Sequence, residues 1–320
     1  MSPTFQAQGK VILLGEHAVV YGVPALAVGI DKGVRTTRTP SSQNELCVPA
    51  WGMAVSPSAH EDAEALARAF NAIIAETDRH RASASPGAFR VEAEVHLPPG
   101  GGLGCSAALG VAVARALDPD ASESEIARRV MAWELVFHGN PSGVDAAVSS
   151  SGGCVYFRRG MPLERVSIGA PILLCVGHSG VASSTKSMVD AVARLAERRP
   201  DVAQKTWDGI RSLVDNAKLA VQAGDHSALG KLMDLNQMLL SGLFVSSTEI
   251  EQMCTLAREA GALGAKLTGA GGGGSVVALV PSPETAEQVL LSWQKAGYSS
   301  FFAQVAATAV APVPTVESTA

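Results

Sequence analysis

The chain has no excess of basic residues, no paired cysteines and no clean apolar run of membrane length, and each absence removes a class of function. Its 25 Lys plus Arg stand against 30 Asp plus Glu, a formal charge of -5. That balance disfavours nucleic acid and anionic membranes as partners and leaves a small molecule. The apolar stretch from Val11 to Ile30 is interrupted by Glu16, His17, several glycines and Pro24, which argues against a bilayer helix. The opening MSPTFQAQGK has no basic segment ahead of an apolar core, so a cytoplasmic location is the expectation. Cys47, Cys105, Cys154, Cys175 and Cys254 are odd in number, widely spaced and without a CxxC, and they read as reduced thiols. HExxH spacing, a Walker-type GxxxxGK[ST], internal repeats and heptads are also missing.

What is present is room for two ordinary domains: 320 residues, 47% hydrophobic and 17% charged. The first thirty residues read as strand, turn, strand, followed by an irregular polar block to Trp51. Glu61 to His80 is helical by the spacing of Leu66, Phe70, Ile73 and Ile74. Phe89 to Leu97 alternates as a strand and feeds a glycine loop. Ser122 and Glu125 have capping-box spacing ahead of the stripe Ile126, Val130, Trp133 and Phe137, with Glu134 near that helix's end.

Pro171 to Gly177 reads as a buried strand, and Thr185 to Leu240 as almost wholly helical. Ser246 with Glu249 again has capping-box spacing, Ala265 to Thr268 and Ser275 to Val280 read as strands, Ser282-Pro283 starts a helix, and Ser299 to Val305 is a last strand. The expected class is α+β, with divisions at residues 1–175 and 176–311 and a frayed tail over 312–320.

Four stretches carry chemistry. In Gly9-Lys10-Val11-Ile12-Leu13-Leu14-Gly15-Glu16-His17, an apolar strand delivers Lys10, Glu16 and His17 to one place. The bland reading is a strand-edge salt bridge and a structural imidazole. Pro98 to Ala108, PPGGGLGCSAA, takes a strand through glycines into an alanine-rich helix, the make-up of a phosphate cradle. In HGNPSGVD, His138 to Asp145, the aspartate sits where a helix cap would. Lys266 to Ser275, KLTGAGGGGS, contains a literal GxGxxG, but a strand follows it where a dinucleotide site needs a helix.

In that order and wording, these stretches resemble the signatures of the GHMP small-molecule kinases, and AVVYG and HGNPSGVD resemble the mevalonate kinases among them. The resemblance runs from Gly9 to Ser275. It implies an N-terminal α/β domain with a ferredoxin-like C-terminal domain, and ATP-dependent phosphorylation of the mevalonate 5-hydroxyl with Mg²⁺. Carried over residue by residue, Pro99, Gly100, Gly101, Gly102, Leu103, Gly104, Cys105, Ser106 and Ala107 would hold the ATP phosphates, and Ser106 and Glu134 the metal. Lys10 and Asp145 would be catalytic, Asp145 as base or orienting group. Lys10, Glu16, His17, Asp145, Thr185 and Ala270 would face the substrate, and a homodimer would be usual.

Galactokinases read GEHxDY where this chain has GEHAVVY, and the related decarboxylases lack Lys10; another GHMP kinase, such as phosphomevalonate kinase, and a non-catalytic metabolite sensor are the competing readings. Cys105 stands where the family usually has serine. It is expected either as a small buried thiol or as a thiol activated by the helix N-terminus, alkylated unless ATP protects it.

Overall fold

The computed structural model describes residues 3–80, 87–98, 101–138 and 141–307. Pro99, Gly100, Gly139, Asn140 and the 312–320 tail therefore lie outside the described residues. Two strands organise the N-terminal unit: β1 (Thr4–Leu14) and the sixteen-residue β2 (Ala25–Pro40) pair antiparallel. Successive side chains on a strand point to opposite faces. Val11 and Leu13 thus join the main core, while Ile12 joins a second cluster with Ala25, Ala27, Val144, Val148 and Val155. Lys10, two residues before Ile12, falls on the face of that second cluster.

The polar block expected to be irregular holds two short strands, β3 (Glu45–Val48) and β4 (Met53–Val55). Helix α1 (Ala65–His80) begins four residues later than its periodicity suggested, and β5 (Phe89–Val95) follows. Helices α2 (Cys105–Leu117), α3 (Glu123–His138) and α4 (Val144–Ser151) then lead to β6 (Cys154–Phe157) and β7 (Glu164–Val166). The sheet runs β4-β3-β5-β2-β6-β7, with β1 on β2; within it only β3 and β5 pair parallel among the described residues. Helix α2 packs on β1 and β2, and α3 packs on α2. The α3 start is the capping box expected: the Ser122 amide donates to Glu125 Oε2 at 2.9 Å, and the Glu125 amide donates to Ser122 Oγ at 3.4 Å.

The second unit opens with β8 (Ile172–His178), a strand that runs through the division expected between 175 and 176. Four helices follow: α5 (Thr185–Arg198), α6 (Pro200–Ala223), α7 (His226–Gly242) and α8 (Thr248–Glu259). The cap of α8 is Ser247 rather than Ser246, one residue after the position expected. Then come β9 (Gly264–Thr268), β10 (Ser275–Val280), α9 (Pro283–Lys295) and β11 (Ser299–Val305). The all-antiparallel sheet has the order β11-β8-β10-β9. Numbering its strands by appearance gives 4-1-3-2, the ferredoxin-like arrangement implied by the resemblance. No helix of the described residues is long and apolar enough to cross a membrane.

Candidate active site

The second cluster seats α4 by Val144 and Val148, one turn apart, against Ile12 and β2. Asp145, beside Val144, thereby meets Lys10 on the same face of β1, with Lys10 Nζ 3.0 Å from Asp145 Oδ1. The lysine side chain is 3% exposed and the aspartate 29%, so solvent reaches the pair from the carboxylate side.

The glycine turn is built against that lysine. Gly104, at φ +70°, begins α2, and a Cβ there would stand 2.8 Å from Lys10 Cγ. The Lys10 amide also donates to Leu103 O at 2.9 Å. No side chain caps α2, so the amides of Cys105, Ser106 and Ala107 keep the outward donors of a helix start. Gly101 and Gly102 close the turn against the third motif: a Cβ on Gly102 would lie 3.0 Å from Thr268 O, and one on Gly269 would lie 3.1 Å from Gly102 Cα.

Half-buried Ser106 donates its hydroxyl proton to Glu134 Oε1 at 2.7 Å and accepts from Trp133 Nε1 at 3.2 Å. Burial, and next the nearby Asp145 carboxylate, push Glu134 up to about 7, against the Ser106 hydrogen bond and the Lys10 charge. His138 Nε2 is 3.6 Å from Glu134 Oε2, and burial lowers its pKa.

Three of the expected site residues have partners or surroundings of their own. Glu16, expected at the substrate, is 1% exposed and has both oxygens engaged: Oε1 pairs with Lys266 Nζ, and Oε2 accepts from Asn236 Nδ2 at 3.1 Å. A carboxylate so enclosed is a structural tie. His17, at φ +61°, is likewise buried, and its Nε2 lies 2.8 Å from Ala270 O, so these two expected substrate residues hold each other. Cys105 is buried at the helix start, and burial drives its thiol up to about 12, which favours the small buried thiol over the activated thiolate.

Thr185 stands exposed in the first turn of α5. The turn before it is bound to the third motif, where Ser183 Oγ donates to Gly271 O. A separate groove of about 450 Å³, lined by Lys32, Arg115 and Ser149 among others, shares none of these site residues. Sequence reasoning missed Trp133's contact with Ser106, and also Lys266 and Asn236, whose partners lie more than 200 residues away.

The chain is similar to known proteins over most of its length. Residues 64–153 match the GHMP kinases N terminal domain and residues 217–299 the GHMP kinases C terminal domain. The mevalonate kinase of Methanothermobacter thermautotrophicus is 37% identical over 88% of this chain and 91% of its own length. That of Pyrococcus abyssi is 34% identical over 87% and 88%. The crystal structure of L. major mevalonate kinase in complex with R-mevalonate superposes with a TM-score of 0.82 at 27% identity, covering 97% of this chain and 98% of that one. With a ferredoxin-like second sheet, a capless glycine turn and a buried lysine on an aspartate all in the motif order, the chain belongs to the GHMP kinases, as a member of their mevalonate kinase branch.

Proposed function

We propose that the chain transfers the γ-phosphoryl group of ATP to the 5-hydroxyl of (R)-mevalonate, giving 5-phosphomevalonate and ADP. The Lys10–Asp145 pair carries this reading: a buried ammonium and a partly open carboxylate, 3.0 Å apart, beside an uncapped helix N-terminus. Phosphoryl transfer asks a protein chiefly for positioning and charge stabilisation, and these groups supply both. Asp145 accepts or orients the hydroxyl proton. Lys10, held in place by Gly104 and Leu103, pairs with that carboxylate and keeps its own charge beside the acceptor oxygen. The described part of the turn, Gly101 to Ala107, binds phosphate oxygens through backbone amides.

Ser106 and Glu134 fit Mg²⁺. Both offer oxygen, the donor a hard divalent cation takes, and the Asp145 carboxylate lies close enough to buried Glu134 to push its pKa up, a repulsion that a cation relieves. When bound, Mg²⁺ would neutralise charge on the transferring phosphates. His17 and Ala270 contribute by fixing the 15–17 turn to the third motif, and Thr185 faces the acceptor from α5. A cytoplasmic homodimer is part of the same reading, and gel filtration tests its size.

The direct test is ADP release from MgATP with (R)-mevalonate, phosphomevalonate, galactose and homoserine in parallel. Turnover is expected with mevalonate alone, and preference for another acceptor would replace the substrate while keeping the chemistry. Asp145→Asn is expected to lower kcat by about 10²- to 10⁴-fold with ATP affinity retained. A wild-type kcat in that variant would remove Asp145 from its role.

A further inference from the structure

One face of α2 carries Ser106 and, one turn later, Gly110, the i and i+4 positions that share a helix face. Glycine inside a helix weakens it, so its presence calls for a neighbour that needs the space. That neighbour is Trp133 of α3. A Cβ on Gly110 would stand 3.0 Å from indole Cδ1 and Cγ, so the ring occupies the notch that the missing side chain leaves. Trp133 is wholly buried, and from the notch its N–H reaches back along α2 to Ser106 Oγ at 3.2 Å.

A serine hydroxyl has one proton and two lone pairs. The proton goes to Glu134 Oε1, at 2.7 Å, and one lone pair accepts from Trp133. One lone pair is left. We infer that Trp133 is a positioning residue for the phosphate loop: its indole N–H locks the Ser106 hydroxyl so that the remaining lone pair is held for the nucleotide-bound divalent cation, and Gly110 exists to admit the ring.

This rests on the kinase reading above, and it separates Trp133 from a tryptophan that merely fills the core. A core filler would support nucleotide binding with and without metal alike. A residue that fixes the hydroxyl acts on the metal-dependent part alone.

The test measures binding of AMPPNP, a non-hydrolysable ATP analogue, by calorimetry in EDTA and in Mg²⁺, with melting curves alongside. Trp133→Phe keeps a ring over Gly110 and deletes the N–H. Its affinity in EDTA is expected to match wild type, while the gain conferred by Mg²⁺ shrinks by about three- to tenfold, the worth of one neutral hydrogen bond. In a Ser106→Ala background the same substitution should take nothing further from that gain, because the two act through one contact. If Trp133→Phe does not fold, site-specific replacement by β-(3-benzothienyl)alanine, the sulfur isostere of tryptophan, removes the N–H without changing the shape.

An equal Mg²⁺ gain in wild type and variant overturns the inference and leaves the kinase reading standing. A wild-type chain whose AMPPNP affinity ignores Mg²⁺ overturns the kinase reading and this inference with it.

Discussion

Lys266, in the middle of β9, ends on the carboxylate of Glu16 just beyond β1, and neither side chain is reached by solvent. The same ammonium donates to Ile12 O at 3.4 Å and to Leu267 O, while Asn236 covers the other carboxylate oxygen. Burial pulls the lysine pKa down and Glu16 opposes the fall, so the two charges depend on each other. Removing one partner of such a pair strands the other charge. Lys266→Met is therefore expected to cost about 3–5 kcal/mol in urea unfolding, with much of it recovered on adding Glu16→Gln. A single-variant loss under about 1 kcal/mol would show that the pair is not a tie between the units.

Acid should loosen the same corner through His17. Burial holds its imidazole below the ordinary 6.5, more strongly than the Ala270 carbonyl raises it. The folded chain keeps the ring neutral where the unfolded chain takes up a proton. Stability from this group is thus complete above pH 6.5 and lost as pH falls below it. His17→Asn, a residue that tolerates positive φ, should have a shallower fall in stability between pH 7 and 5, by up to about 1.4 kcal/mol per pH unit. Parallel curves for the two proteins would exclude the effect.

The fit of Gly104 against Lys10 can be separated from its backbone conformation. Gly104 and Gly22 both have positive φ, +70° and +77°, but a Cβ on Gly22 would meet nothing within 4 Å. Gly22→Ala should therefore cost only the left-handed strain, about 1–2 kcal/mol, with kcat unchanged. Gly104→Ala adds overpacking on the Lys10 stem, for a total of about 2–4 kcal/mol, and should lower kcat by more than about tenfold as the ammonium shifts from Asp145. Equal kcat values in the two variants would sever the link from loop to lysine.

Cys105 should be inert. With its thiol pushed up to about 12 by burial, iodoacetamide at pH 8 is expected to leave it unlabelled in the native protein, with or without ATP, and to label all five cysteines in urea. Native labelling that ATP blocks would restore the activated thiol.

Much of this was legible locally. Ser275–Val280 and Ser299–Val305 have the bounds expected of them, Ser282-Pro283 starts its helix, and Ser122 with Glu125 forms the reciprocal box, because each signal lies within a few residues of its effect. Strand β3 was not legible: at four residues it is too short for a period to register, and it exists by pairing with β5 some 45 positions on. Lys10 with Asp145 could be named only through the family resemblance, since nothing local joins a strand residue to a helix start 135 positions later. A still longer separation, 250 residues, hid the pairing of Glu16. Its partner was visible as a lone lysine in the apolar run Ala265 to Leu267, but spacing does not say which carboxylate such a lysine seeks.

That separation has a consequence during synthesis. Glu16 leaves the ribosome 250 residues before Lys266, which at about 5–20 residues per second is roughly ten seconds to a minute. Within that interval β1 and β2 can pair, and α2 and α4 can pack upon them once made, around a carboxylate whose counter-charge is still missing. The turn at Gly15 is therefore expected to stay open to water in the nascent N-terminal half until β9 brings Lys266 to Glu16.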